Sequence, residues 1–332
     1  MSHYSVLVEG LSQMFVAGPP VVAAVGEQRT KEELGGAHIH AANGAVDDVA
    51  ESEAEAFEKT RRFLSYLPSS VHELPARTES GDRIDRREDW LIEAVPRNPR
   101  ALYKIRPILD AVFDKSSVFE IGRRWGTAVV TAFARLDGWP VAVMASDPMA
   151  LGGLWTADTS RKVERFVDLA EIFHLPVVHM VDNPGFMIGL QAERDATIRW
   201  GSRALTAVYQ ASVPWCALVM RKAYGMAGSA HANASRFHWR MAWPSGDWGS
   251  LPIEGGLEAA YKSDLEAADD PGAELQKIKA RLDAVRSPFR TADKFGVEEI
   301  IDPRDTRERL CAFAETAQRA LTPGRRSFGY RP

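Results

Sequence analysis

The chain has 332 residues, 45% of them hydrophobic and 26% charged, with a formal net charge of -4; it is long enough for two domains, or one with a large appendage, and has the balance of an ordinary globular protein. That charge excludes a global attraction to nucleic acid or an anionic membrane. Two distant cysteines, Cys216 and Cys311, exclude a disulfide framework, and with no run of roughly 18 apolar residues and no secretory signal the expectation is a soluble protein of the reducing cytoplasm.

Residues 4–8 and 14–16 read as short strands or strand ends, with G-P-P at 18–20 as a break. In E-E-L-G-G-A-H-I-H at 32–40, His38 and His40 alternate as on one face of a strand; with no third ligand nearby, metal binding is the lesser reading. Residues 47–65 read as a helix with an acidic first half, and Glu51, Glu53, Glu55 and Glu58 as its solvated face rather than an acid/base pair. From 67 to 107, Pro68, Pro75, Pro96, Pro99 and Pro107 interleave with T-E-S-G-D-R-I-D-R-R-E-D, which predicts a linker.

A short helix is expected at 108–113, then strands at 126–136 and 139–145 joined by D-G, a hairpin signal. After M-A-L-G-G-L at 149–154, residues 160–173 have helical apolar spacing. A buried strand at 176–181 leads into D-N-P-G-F-M-I-G at 182–189 and a helix at about 194–211. Residues 213–220 form a second buried strand, and 221–224 lead into G-M-A-G-S-A at 225–230 with a helix-permissive tail to Ala234. Residues 255–321 read as mostly helical, with Leu275, Ile278 and Leu282 on one face for packing or assembly.

Strand, glycine turn and helix recur at about 35-residue spacing, the mark of βαβ crossovers and a largely parallel sheet. Ligands of such sheets bind beyond the carboxyl ends of the strands, and both glycine turns fall at that edge. Backbone N–H groups at the start of a helical turn after Tyr224 lack intrahelical partners, so they are an oxyanion-hole candidate. The competing reading is a glycine-assisted connection that binds nothing. The sequence contains no dinucleotide fingerprint, no phosphate loop and no nucleophile elbow.

In this order, E-E-L-G-G-A-H-I-H, F-L-S-Y-L-P, D-N-P-G-F-M-I-G and R-K-A-Y-G-M-A resemble the carboxyltransferase (beta) subunit of biotin-dependent acyl-CoA carboxylases, the propionyl-CoA and methylcrotonyl-CoA carboxylase group, over residues 3–321. The resemblance implies an α/β fold of the ClpP/crotonase type, a β-β-α superhelix, here one complete domain plus the tail of a second. Residues 1–67 would be the C-terminal remnant of the acyl-CoA domain, 68–100 a linker, and 101–323 the biotin-side domain.

The same resemblance implies roles for single residues. Gly225, Met226 and Ala227 match the biotin-side oxyanion hole, in which the N–H groups of Met226 and Ala227 would hold the urea oxygen of biotin. The family often has Gly where Met226 stands, so this side chain must find room. Tyr224, Asn183, Pro184, Gly185 and Phe186 would shape the carboxybiotin pocket, and Gly152 and Gly153 would let the main chain approach it. No metal is implied. The implied cofactor and substrate are biotin, carried as carboxybiotin by a partner, and an acyl-CoA.

The implied partners are a biotin carboxylase and biotin-carrier (alpha) subunit and further copies of the chain, the family being hexameric; nucleic acid and membrane are not among them. The Trp-rich segment at 239–248 suits an assembly surface, with core packing as the rival. Alternatives within the resemblance are the carboxyltransferase of a biotin-dependent decarboxylase and a non-catalytic assembly or regulatory remnant. The remnant arises because the family stretch before the point matching His3, with its own oxyanion hole, is absent. The chain by itself is therefore expected to bind biotin weakly and not to carboxylate acyl-CoA. A single-domain hydratase is disfavoured because no paired glutamates stand beside the turn.

Overall fold

The computed structural model describes residues 2–231, 236–249 and 253–332, without the side chains of 253–256. The tail expected to run to Ala234 thus reaches beyond the described residues. Val6–Val8 (β1) pairs in parallel with Asp48–Ala50 (β2). Between them, Ala37–Asn43 (α1) is a helix, closed by Gly44 at a φ of +80°. This corrects the strand expected for His38 and His40, because residues two apart on a helix face different ways. His38 lies 3.6 Å from Glu32 and His40 bonds to the Met14 carbonyl. Residues 14–16 are not a strand either; the Met14 N–H bonds to Gly35 instead.

The helix expected at 47–65 divides into β2 and Glu53–Ser65 (α2), started by Ser52, whose hydroxyl accepts the Glu55 N–H at 3.2 Å. Glu51, Glu53 and Glu58 are exposed, and Glu55 pairs with Lys59. The stretch read as a linker wraps the main sheet, burying Leu91 and Val95. Its charges act as pins: Arg86 donates to the carbonyls of Ala111 and Phe113 and to Asp82. Composition by itself does not separate a charge in water from one bonded to a backbone carbonyl.

Ile105–Val112 (α3) follows, then Phe119–Ile121 (β3), Val129–Leu136 (β4) and Trp139–Ser146 (β5), an antiparallel trio. Asp137 and Gly138, at φ of 49° and 80°, form the expected tight hairpin turn. A Cβ on Gly138 would sit 1.9 Å from the Thr78 carbonyl oxygen. Gly138→Val is therefore expected to cost about 2–3 kcal/mol in strain and displacement; an unchanged urea midpoint would count against this geometry.

The chain continues through Ala157–Ile172 (α4), Val177–Asn183 (β6), Thr197–Gln210 (α5), Trp215–Tyr224 (β7), His238–Ala242 (β8) and Asp247–Gly249 (β9). Strands β5 through β8 pair in parallel, as the recurrence predicts, and β9 also joins β7. Pro271–Arg286 (α6), Glu299–Ile300 (β10) and Thr306–Ala317 (α7) complete the chain, with β10 added to β8. Alternate strand residues enter two cores. Val177 and Ala217 face α4 and α5, while Val178, Cys216 and Leu218 face α3 and α7. Both faces are covered, which explains the uninterrupted apolar runs.

Strand β7 extends to Tyr224, so Arg221 to Tyr224 belong to it rather than leading into the turn. Trp243 is buried and donates from its indole to Thr306, while Trp239 and Trp248 pack against the cores. Trp243 is thus core, the rival reading of the segment, while Trp239 and Trp248 stay partly exposed. Ile278 is buried, with Leu275 and Leu282 half-buried beside it, as their spacing suggests. Among the described residues no helix is long and apolar enough to cross a membrane.

Candidate functional site

Three neighbouring parallel strands end together, and the segments that leave them converge. After β5, Asp147 accepts the Met149 N–H and is bridged by Arg106 to Glu120. Gly152 and Gly153 follow with φ of 64° and 86°. A Cβ on Gly153 would meet the Asp182 carbonyl oxygen at 2.7 Å, so only glycine lets this loop lie against the end of β6. The loop is then stitched to the next: the Trp155 N–H donates to Gly185 at 3.0 Å, and the Met187 N–H to Trp155 at 2.9 Å.

After β6, the Asn183 side-chain oxygen accepts the Gly185 N–H at 2.7 Å, closing an Asx turn, and Gly185 has a φ of 120°. The Asn183 amide nitrogen is buried with no partner among the described residues. Pro184 lies against Gly153, and Phe186 meets the buried Trp155 edge to face at 6.0 Å. After β7, Gly225 adopts a φ of 57° and opens a single helical turn, Gly225–Gly228. A Cβ on Gly228 would lie 3.1 Å from the Asn183 carbonyl oxygen, so this turn packs on the Asn183 loop. Met226 is 62% exposed and Ala227 buried; the methionine finds its room in solvent.

The structure thus brings Gly152, Gly153, Asn183, Pro184, Gly185, Phe186, Tyr224, Gly225, Met226 and Ala227 to one sheet edge. A cleft of about 850 Å³ reaches Pro184 and Tyr224 and is lined by Arg97, Lys222, Lys279 and Arg286 together with Asp247, Glu258 and Asp283. The arrangement offers backbone donors, an amide donor and an aromatic floor rather than a nucleophile. Cys216 is fully buried and its thiol is pushed up by burial, which makes it inert.

Sequence reasoning missed what holds the two motifs together. Asp182, which begins D-N-P-G-F, is fully buried and meets Arg221, which begins R-K-A-Y, at 2.8 Å. It also accepts the Lys222 N–H at 3.0 Å and the Tyr103 hydroxyl at 3.0 Å. Burial, and then the Asp182 charge, raise the Tyr103 pKa, so the phenol stays a donor. The available signal was a charge at the end of each apolar run, where a buried polar residue is the informative observation.

Beneath the turn, His231 lies 2.6 Å from the Gly228 carbonyl, and His179 stands in mid-strand against Trp215. Burial, followed by the nearby His231 and Arg236, lowers His179 from 6.5 to about 3. The folded state keeps His179 neutral while the unfolded chain binds a proton, so its contribution is complete above pH 6.5 and is lost as pH falls toward 3. About 2 kcal/mol should be gone by pH 5. Urea unfolding of His179→Leu should show a flatter acid limb than wild type; equal limbs would exclude this histidine as the source.

A family model described as the carboxyl transferase domain matches residues 1–327. The carboxyltransferase subunit of propionyl-CoA carboxylase from Haloferax mediterranei is 35% identical over 319 residues, 94% of this chain and 61% of that protein. Methylmalonyl-CoA decarboxylase subunit alpha from Veillonella parvula is 31% identical over 312 residues, 92% of this chain and 60% of that protein. Among solved structures, the transcarboxylase 12S hexamer with methylmalonyl-coenzyme A and methylmalonic acid bound matches with a TM-score of 0.91. It is 30% identical, and the match covers 100% of this chain and 64% of that one. The fold is the crotonase-like α/β fold that the resemblance implied. The chain spans about three fifths of the length of the curated relatives it matches. With a family model along almost its whole length and this likeness in sequence and fold, the chain belongs to the carboxyl transferase domain family.

Proposed function

We propose that this chain carries the carboxybiotin side of a carboxyl transfer to a short acyl-CoA, working with a biotin carboxylase, a biotin carrier and further copies of itself. The observation that carries this reading is the convergence of 152–155, 182–187 and the Gly225–Gly228 turn at one sheet edge. The residues fit the group: Asn183, in the loop that packs against the turn, keeps a buried amide nitrogen with no partner among the described residues, and the turn leaves its first N–H groups without helical acceptors. Carboxybiotin supplies the activated carboxyl group.

The chain's own part is to place the N–H groups of Met226 and Ala227 where a urea oxygen gains negative charge. Such donors act before the charge appears, because they are already oriented. Pro184 and Gly185 fix the loop beside them, and Gly153 lets the 152–155 loop lie against it. A short acyl group is supported by the names of the relatives, one a propionyl-CoA carboxylase and one a methylmalonyl-CoA decarboxylase. Self-association is supported by the hexamer of the transcarboxylase 12S structure.

The test charges a biotinylated carrier with labelled bicarbonate, ATP and a biotin carboxylase, then adds the chain with propionyl-CoA. The chain should speed loss of label from the carrier, and Gly225→Val should not. No acceleration by wild type, or equal acceleration by both proteins, would reject the reading. The likeness to a decarboxylase subunit favours a second reading in which transfer runs from acyl-CoA to biotin. Label moving from methylmalonyl-CoA onto free biotin faster than the forward transfer would select it.

A further inference from the structure

Tyr224, the last residue of β7, stands immediately before the left-handed Gly225 and is 2% exposed. Its hydroxyl donates to Asp247 and accepts from Arg286. Arg286 also binds Asp247 through its Nε at 2.6 Å, and its guanidinium lies 5.3 Å from the centre of the Tyr224 ring. These residues come from three elements. Asp247 opens β9, which is paired alongside Lys222 to Tyr224, and Arg286 is the last residue of α6. The ring is therefore held from its face and at its hydroxyl, and its backbone leads directly into the turn.

The electrostatics keep the contact in one state. Burial, then the hydrogen bond and charge of Asp247, raise the Tyr224 pKa, so the phenol keeps its proton and donates it to the carboxylate. Burial works against the Arg286 charge, but the bond to Asp247 outweighs it and the pKa rises. Arg286 therefore remains a cation.

We propose that Arg286 is a positioning residue for carboxyl transfer: by clamping the Tyr224 hydroxyl and Asp247 it sets the direction of the N–H groups in the Gly225–Ala227 turn. This rests on the carboxybiotin reading of that turn. The rival role is a staple that only attaches α6 to the sheet. The two roles differ at Tyr224→Phe, which removes the hydroxyl but leaves the pair between Arg286 and Asp247 in place.

The experiment measures amide hydrogen exchange across 225–228, thermal unfolding, and the rate and half-saturation for the charged carrier, in wild type, Arg286→Met, Arg286→Lys and Tyr224→Phe. A misdirected turn should lower the transfer rate about 10- to 100-fold in Arg286→Met with little change in half-saturation. Lysine should restore part of that loss. Tyr224→Phe should show a smaller rate loss at an unchanged unfolding midpoint, and both should exchange faster at 225–228. A staple predicts a lower midpoint for Arg286→Met, a silent Tyr224→Phe and unchanged exchange at the turn, and that pattern would overturn the proposal. If wild type does not speed loss of label from the charged carrier, the functional reading falls, but exchange still decides whether Arg286 sets the turn.

Discussion

Gly225→Val is expected to yield a folded protein whose use of carboxybiotin falls by at least about 10²- to 10³-fold, the usual cost of losing one preorganised donor. Gly225 sits at a φ of 57°, where a β-branched residue is a steric outlier. The strain, about 1–3 kcal/mol, is smaller than the usual stability of a domain, about 5–15 kcal/mol, so the fold survives. The turn relaxes instead, and with it move the N–H groups of Met226 and Ala227. Ala at this position carries less strain and should fall between the two. The measurements are circular dichroism, a thermal melt and loss of label from the charged carrier. Wild-type turnover by a folded Gly225→Val protein would remove this turn from the site.

Asp182→Ala should lose about 3–5 kcal/mol of stability, because it strands the buried Arg221 guanidinium without its carboxylate. Asp182 is fully buried and Arg221 nearly so, and the Tyr103 hydroxyl and the Lys222 N–H lose an acceptor at the same time. Urea unfolding should show a lower midpoint at an unchanged slope. Arg221→Met in the same protein should recover part of the loss, since an apolar side chain of similar length leaves no unpaired charge. A loss below about 1 kcal/mol would mean that water reaches the guanidinium and that the pair does not hold the two loops.

The Asp182 pair also shows where sequence reading stops. Each partner ends an apolar run, and each run was legible as a strand because both faces of the sheet are covered. That the two charges meet across 39 residues depends on β6 and β7 being neighbours in register, which no local pattern encodes. The stretch at 67–107 read as a linker shows the same limit, since Arg86 bonds to carbonyls that come close only when the chain folds back.

Local chemistry by itself determined the hairpin at Asp137 and Gly138, the buried strands, the helices between them, and the glycine loops at 152–153, 183–186 and 225–227. These follow from periods and backbone conformations that a few adjacent residues dictate. Only the tertiary structure decided that His38 and His40 lie on a helix, because a three-residue alternation is too short to separate periods of 2 and 3.6 and the boundary is set by Gly36 and Gly44. It also decided that Trp243 is core, through Thr306, and that Arg286 reaches Tyr224 across 62 residues. Such contacts depend on which surfaces the completed sheet leaves open, and that follows from the packing of the whole chain rather than from any segment of it.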